Sequence, residues 1–188
     1  MIAGLLLAAG SGSRLGTPKA LVMLSGRSLV EHGISLLSDG GCSPVLVVLG
    51  AAPDVEAPGT LVIVAQDWDT GLGASLRAGL AALDPAVTAV VVALVDMPLV
   101  GPAAVQRLIA ARTSGAAVAT YGGKRGHPVL LQRAVWPAVA ELAIGDVGAR
   151  PWLAANPSLV VEVDCDGTGS RVDIDTPADF AAVLAALS

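Results

Sequence analysis

Apolar residues along this chain fall in short unbroken runs rather than in strict alternation. Ile2–Ala8, Val45–Leu49, Leu61–Ala65, Ala89–Val95 and Ala116–Thr120 are bordered by Gly, Pro, Asp or Ser. Runs of this length predict strands covered on both faces. Between them the spacing turns helical. Ser28–Ser38 carries Leu29, Ile34, Leu36 and Leu37, with Glu31 and His32 on other faces; Leu72–Leu83 and Pro102–Arg112 follow. Pro102 suits a helix start, where a missing N–H costs nothing, and Ser38-Asp39-Gly40-Gly41 predicts a helix stop. The second half is less regular: a loop at Gly122–Gly126, a short strand at Val129–Leu131, a helix over Arg133–Leu142, a Gly-rich turn at Gly145–Ala149 and a strand at Leu159–Val163. Thr176–Leu187 reads as a closing helix, with Thr176 as N-cap, Pro177 in first position and Asp179 in the first turn. Strands alternating with helices predict an α/β fold, a mostly parallel sheet with helices on both faces. The length predicts one domain over residues 1–188.

Composition narrows the function. Hydrophobic residues make up 54% of the 188 positions and charged ones 14%, which excludes a disordered chain. The net charge of −5 argues against a general nucleic-acid binder but leaves room for a small basic pocket. Mean hydropathy is high, at +0.71. Charge-free runs such as Gly40–Pro53 nevertheless fall short of the roughly 18 apolar residues a membrane span needs, and they contain Gly and Pro. Met1–Ser13 lacks a basic stretch, so no signal peptide is expected. Two cysteines, Cys42 and Cys165, are too few for a disulfide framework. A cytoplasmic protein without membrane or nucleic-acid partners is the expectation.

In open parallel sheets ligands bind beyond the carboxyl ends of the strands. The first predicted strand ends in Ala8-Ala9-Gly10-Ser11-Gly12-Ser13-Arg14-Leu15-Gly16-Thr17-Pro18-Lys19. Three glycines let the backbone turn tightly and aim bare N–H groups at an anion. Arg14 adds a fork for phosphate oxygens and Lys19 a point charge. The spacing Gly10, Gly12, Gly16 misses the dinucleotide fingerprint by one residue, Pro18 opposes a helix opening directly at the loop, and no Gly-Lys completes a P-loop. Asp96 stands where a buried strand stops, before Met97-Pro98, and suits a Mg²⁺ ion held by one or two carboxylates and phosphate oxygens. Asp173 and Asp175 alternate along an extended segment and are expected to point the same way; one of them with Asp96 would hold the metal.

Gly71-Leu72-Gly73-Ala74-Ser75-Leu76-Arg77 can admit a base or phosphate to a helix start. Gly123-Lys124-Arg125-Gly126-His127-Pro128 and Gly145-Asp146-Val147-Gly148-Ala149-Arg150 are the remaining polar clusters; Lys124, Arg125 and Arg150 suit a phosphorylated acceptor, which His127 would orient. His32 reads as a helix-surface residue, and Trp68, Trp136 and Trp152 as core or rim rather than stacking platforms. No G-x-S-x-G, C-x-x-C or H-E-x-x-H occurs, and neither Cys has a cationic neighbour to activate it.

Leu7-Ala8-Ala9-Gly10-Ser11-Gly12-Ser13-Arg14-Leu15-Gly16 with Pro18-Lys19 resembles the nucleotidyltransferase superfamily signature. Val95-Asp96-Met97-Pro98 resembles its metal motif, Asp173-Ile174-Asp175-Thr176-Pro177 its closing motif, and Glu31-His32 a helix motif of many members. Gly71–Gly79, Gly126–Val129 and Gly145–Arg150 make the chain most similar to MobA-like proteins, molybdenum cofactor cytidylyltransferases above all. The resemblance implies a Rossmann-like three-layer α/β/α fold of the nucleotide-diphospho-sugar transferase type, with an N-terminal nucleotide half and a C-terminal acceptor half. It implies Mg²⁺-dependent transfer of CMP from CTP to the phosphate of a pterin-type acceptor, molybdopterin, with a molybdenum hydroxylase as possible recipient of the product. Arg14, Lys19 and Asp96 would be catalytic, and Asp96 and Asp173 would hold Mg²⁺. Leu7, Ala8, Ala9, Gly10, Gly12, Ser13, Arg14, Lys19, Gly71, Gly73, Ala74 and Ser75 would line the nucleotide. Lys124, Arg125, His127, Asp146, Arg150 and Asp175 would face the acceptor. Ala at position 9 accompanies CTP in this resemblance and Gly accompanies GTP. Guanylyl transfer is the alternative within the class. A nucleotide-binding maturation factor without activity and a nicotinamide-dependent oxidoreductase are alternatives outside it.

Overall fold

The computed structural model describes residues 1–187. β1 (Ile2–Leu7) is followed by a Gly-rich loop, the small hairpin β2 (Met23–Leu24) and β3 (Arg27–Ser28), and α1 (Leu29–Asp39). Next come β4 (Val45–Leu49), β5 (Leu61–Val64), α2 (Leu72–Ala82), β6 (Ala89–Leu94), α3 (Pro102–Ala110), β7 (Ala116–Tyr121) and β8 (Lys124–Gln132). α4 (Trp136–Leu142), α5 (Arg150–Ala155), β9 (Val160–Asp164) and α6 (Pro177–Ala186) complete the chain as described.

One sheet runs in the order β5-β4-β1-β6-β8-β7-β9. β1 is flanked by β4 and β6, both parallel to it, and β5 adds in parallel to β4. β8 runs antiparallel to both of its neighbours, and β9 is parallel to β7. The chain moves outward from β1 to β4 and β5 on one side and reaches β6 on the other. That reversal opens a crevice above the carboxyl end of β1, where α/β sheets bind ligands.

The central strands are apolar throughout because each face is covered. On one face Leu6 and Val91 meet Leu29 and Leu37 of α1 and Val105 and Leu108 of α3. On the other Leu5 and Val90 meet Leu76 and Leu80 of α2, Val139 of α4 and Leu153 of α5. The expected three-layer α/β/α arrangement is therefore present. α1 opens with a capping box in which Ser28 Oγ accepts from Glu31 N at 3.1 Å and Glu31 Oε2 accepts from Ser28 N at 2.7 Å. α6 repeats the device with Thr176 and Asp179.

The irregular half departs from expectation. Val129–Leu131 is the buried end of a nine-residue strand, and Lys124–Gly126 belongs to it rather than to a loop. Gly122 and Gly123 both take positive φ, +55° and +71°. Such a pair makes the tight turn whose twist matches two antiparallel strands. Arg133–Leu142 divides into a 3₁₀ turn over Arg133–Val135 and α4. α5 and the β2–β3 hairpin have no counterpart in the sequence pattern. Among the described residues no helix is long and apolar enough to cross a membrane.

Candidate functional site

Three chain segments meet at the carboxyl end of β1. The first is the loop after β1, where Gly12 takes φ +61° and its carbonyl accepts from Leu15 N and Gly16 N, both at 2.9 Å. This closes the turn that carries Arg14. Lys19 opens a 3₁₀ turn after Pro18, anchored by the buried Ala20. The second segment follows β6: Val95 N donates to Leu7 O at 3.1 Å, so Asp96 emerges directly beside the loop. The third is the closing segment, fixed by Ile174 N donating to Asp96 O at 2.8 Å with Ile174 fully buried.

These contacts converge on Lys19. Its Nζ donates to Asp96 Oδ2 at 2.6 Å and to Asp175 Oδ1 at 2.5 Å. Arg14 Nη2 donates to the other Asp175 oxygen, Oδ2, at 2.8 Å. Side-chain exposures of 14% for Lys19, 19% for Asp96 and 26% for Asp175 put the cluster in partial shelter, whereas Arg14 is 71% exposed and free to follow a ligand. Asp96 Oδ1 is buried and has no hydrogen-bond partner among the described residues.

The electrostatics follow. Burial works against the Lys19 charge, but the attraction of Asp96 and hydrogen bonds to both carboxylates outweigh it and hold its pKa above the usual lysine value. Burial pushes Asp96 up; Lys19 opposes this, and the nearby Asp173 and Asp175 reinforce it. The hydrogen bond from Lys19 holds Asp175 below the usual carboxylate range.

A cavity of about 510 Å³ opens over this cluster. Leu7, Ala9, Gly10, Gly12, Ser13, Arg14, Lys19, Gly71 and Ser75 of the expected nucleotide residues line it, as does Asp96, expected at the metal. Ala8 lies in the core, Gly73 abuts the Ala143 carbonyl, and the buried Ala74 does not line the cavity. Two residues expected on the acceptor side also line it: Asp175, and Asp146, whose Oδ1 accepts from Leu72 N at 3.3 Å.

A second cavity of about 340 Å³ lies alongside and shares Leu7, Leu72, Leu94 and Asp96 as its wall with the first. Arg125, His127 and Arg150 line it as expected, with an apolar floor that includes Leu76, Val118 and Leu153. Asp173 faces this cavity and Asp175 the first, so the two carboxylates do not point the same way as their spacing predicts. The chain leaves strand geometry there to lead into α6. Lys124 sits exposed at the β7–β8 turn, outside both cavities. Burial, and then the charge of Arg150, push His127 down to about 4, so its ring is neutral near pH 7. Arg125 is paired with Glu162 at 2.7 Å. Sequence reasoning missed Arg171 in the second cavity and Asp69 in the first, and it read Trp68, which lines the first, as core or rim only. For Trp68 and Asp69 the available signal was position, just ahead of Gly71 at the end of a strand.

Residues 4–160 match the MobA-like NTP transferase domain. The chain belongs to this nucleotidyltransferase family. Nicotine blue oxidoreductase of Paenarthrobacter nicotinovorans is 40% identical over 189 residues, 93% of this chain and 92% of that protein. The bifunctional protein GlmU of Maricaulis maris is 33% identical over 145 residues, 73% of this chain but only 32% of that longer protein. Among solved structures, Rv0371c of Mycobacterium tuberculosis superposes with a TM-score of 0.85 at 32% identity, covering 98% of this chain and 97% of its own. A manganese complex of the same protein gives 0.83 at 30% identity, with 98% of each chain covered.

Proposed function

We propose that this protein transfers a nucleotidyl group, CMP from CTP, to the phosphate of a pterin-type acceptor and releases pyrophosphate. The carrying observation is the cluster of Lys19 and Arg14 against Asp96 and Asp175 at the mouth of a glycine-rich turn. An acceptor phosphate oxygen attacks the α-phosphorus in line, the bond between the α-phosphorus and its bridging oxygen breaks, and pyrophosphate leaves. The loop N–H groups and Arg14 grip the triphosphate, and Lys19 offsets the charge that grows on the departing oxygens. Holding the two substrates together supplies most of the rate, so no protein nucleophile is required. The shared wall at Asp96 lets a nucleotide in the larger cavity meet an acceptor in the smaller one.

The residues present fit a divalent cation. Asp96 has an unpartnered buried oxygen and already shares one cation, the Lys19 ammonium, with Asp175. An all-oxygen donor pair suits Mg²⁺ or Mn²⁺, and the manganese complex of Rv0371c supports a divalent ion. Asp96 and Asp175 would hold it, in preference to Asp173. Bound there, it would neutralise triphosphate charge and polarise the α-phosphoryl group. The CTP preference rests on Ala9, and a molybdenum hydroxylase remains the proposed recipient of the product.

The relative named nicotine blue oxidoreductase favours a second reading, a redox enzyme on the same fold. Against it, the loop after β1 leads into turns and a 3₁₀ segment, not a helix whose N-terminus would take a dinucleotide pyrophosphate. Thermal stability with CTP, GTP, ATP, UTP and NADH, with and without Mg²⁺, on wild type and Asp96→Asn separates the readings. Ligand at 100 times its Kd adds about 2.7 kcal/mol, a rise in Tm of roughly 5–10 °C for a chain of this size. A Mg²⁺-dependent shift with CTP, lost in Asp96→Asn, is the expected result. A shift with GTP alone moves the reading to guanylyl transfer. A shift with NADH alone overturns nucleotidyl transfer in favour of the redox enzyme.

A further inference from the structure

The larger cavity has two chemically different ends. Arg14, Lys19 and the glycine-rich turn gather every cation that lines it at one end. The other end is formed by Trp68, Asp69, Gly71, Leu72, Ser75 and Asp146. Its charged groups, Asp69 and Asp146, are carboxylates, which repel phosphate, so a nucleotide bound here would lay its triphosphate on the turn and its base toward Trp68. Trp68 is the only aromatic side chain among the residues that line the cavity.

Trp68 is held as a wall rather than draped on the surface. It begins a 3₁₀ turn over Trp68–Thr70, is half-buried, and packs against the core on the α2 side of the sheet. Its root presses on the chain leaving β4. A Cβ on Gly50 would lie 2.5 Å from Trp68 Cγ and 2.7 Å from Ala9 O, so only a glycine at position 50 lets the ring stand so close to the end of β1. The neighbouring amide of Ala51 donates to that same Ala9 carbonyl at 2.9 Å. Trp136 and Trp152 differ: both are buried in the core, and Trp136 Nε1 donates to Leu131 O at 3.1 Å. The Trp68 indole N–H makes no hydrogen bond among the described residues.

We propose that the Trp68 indole is the platform on which the nucleobase of the bound nucleotide stacks. The proposal rests on the reading that this cavity takes a nucleoside triphosphate. Base–aromatic stacking tolerates any base, because each has a π-face. Trp68 would therefore set the strength of nucleoside binding, and the choice among bases would fall to the groups around the ring edge.

The test compares wild type, Trp68→Phe and Trp68→Leu, with Mg²⁺ present, by calorimetric titration with CTP, GTP and inorganic tripolyphosphate, alongside intrinsic fluorescence. Stacking predicts quenching of wild-type fluorescence by CTP but not by tripolyphosphate. Trp68→Leu binds CTP and GTP roughly 5–100-fold more weakly and tripolyphosphate as wild type does, while Trp68→Phe stays near wild type. Retained tripolyphosphate affinity also shows that the leucine variant is folded. Undiminished CTP and GTP binding by Trp68→Leu overturns the proposal, and so does an equal loss of nucleotides and tripolyphosphate, which marks a structural residue. A wild type that binds tripolyphosphate but no nucleoside triphosphate overturns the nucleotide reading, and stacking with it. A wild type that binds neither overturns the nucleotide reading itself.

Discussion

The bridge from Lys19 to Asp96 makes a quantitative prediction about the free protein. At 2.6 Å, with exposures of 14% and 19%, the pair sits between surface and interior. With an effective dielectric of about 20 the bare attraction is about 6 kcal/mol, most of it cancelled by the cost of removing both charges from water. Lys19→Met removes the ammonium and leaves Asp96 and Asp175 facing each other. Breaking a fully buried pair in this way costs roughly 3–5 kcal/mol; partial exposure brings the expected loss here to about 2–3. Asp96→Asn should cost less, about 1 kcal/mol, because Lys19 keeps Asp175 as its partner. The double variant should be more stable than the sum of the single losses implies, by about 1–3 kcal/mol. Urea unfolding of the four proteins at pH 7 measures this coupling. pH supplies a second signature. Without its ammonium, Asp96 keeps the upward push of burial and of Asp173 and Asp175. Its folded pKa then lies above the unfolded value, so protonation relieves the buried charge and the deficit of Lys19→Met shrinks on acidification. Losses that add within about 0.5 kcal/mol, with a deficit independent of pH, would refute the account of a sheltered, mutually dependent cluster.

Other predictions address neighbouring features. Burial holds the folded pKa of His127 down at about 4, below the ordinary histidine value of 6.5. The unfolded chain binds the extra proton between these values, so stability should fall as pH drops from 7 to 4. His127→Gln should escape up to about 3 kcal/mol of that fall, and parallel urea-derived stability profiles for the two proteins would count against it. Thr176→Ala removes the α6 cap and should cost about 1 kcal/mol, lowering Tm by ~2–4 °C; an unchanged Tm would show that the cap contributes nothing. Because the Lys19 ammonium sits between Asp96 and Asp175, the nucleotide-free protein should bind Mn²⁺ weakly and Lys19→Met should bind it more tightly. Electron paramagnetic resonance of free Mn²⁺ reads this directly, and equal affinities would remove Lys19 as a competitor. Gly12→Ala should disrupt the phosphate turn, since its φ is +61° and a Cβ would run into the Thr17 carbonyl. Triphosphate affinity is the readout, and wild-type affinity would refute it.

What the sequence discloses depends on how locally each feature is determined. β1, β4 and β6 are legible because burial on both faces leaves a short, β-branched or aliphatic run bounded by turn residues, too short for a buried helix. Of β8 only the buried end, Val129–Leu131, is legible, because its first residues, Lys124-Arg125-Gly126-His127, look like a polar loop until β7 pairs with the strand across Gly122-Gly123. α5 is hidden for a similar reason: six residues give no full period, and Pro151 reads as a breaker although it stands in the first turn, where proline is tolerated. The site divides in the same way. Arg14, Lys19 and Asp96 are recognisable from position alone, since cations and a carboxylate that each follow a parallel strand come out at the same carboxyl end of the sheet. The division of labour between Asp173 and Asp175 is set by partners far away in sequence. A two-residue period predicts that both carboxylates share a side, but Ile174 is tied to the Asp96 carbonyl while Lys19 and Arg14 hold Asp175, so the pair straddles the wall between the cavities. Trp68 belongs with them. Its meaning depends on Gly50, eighteen positions earlier, and on the end of β1, which only the folded sheet brings within reach.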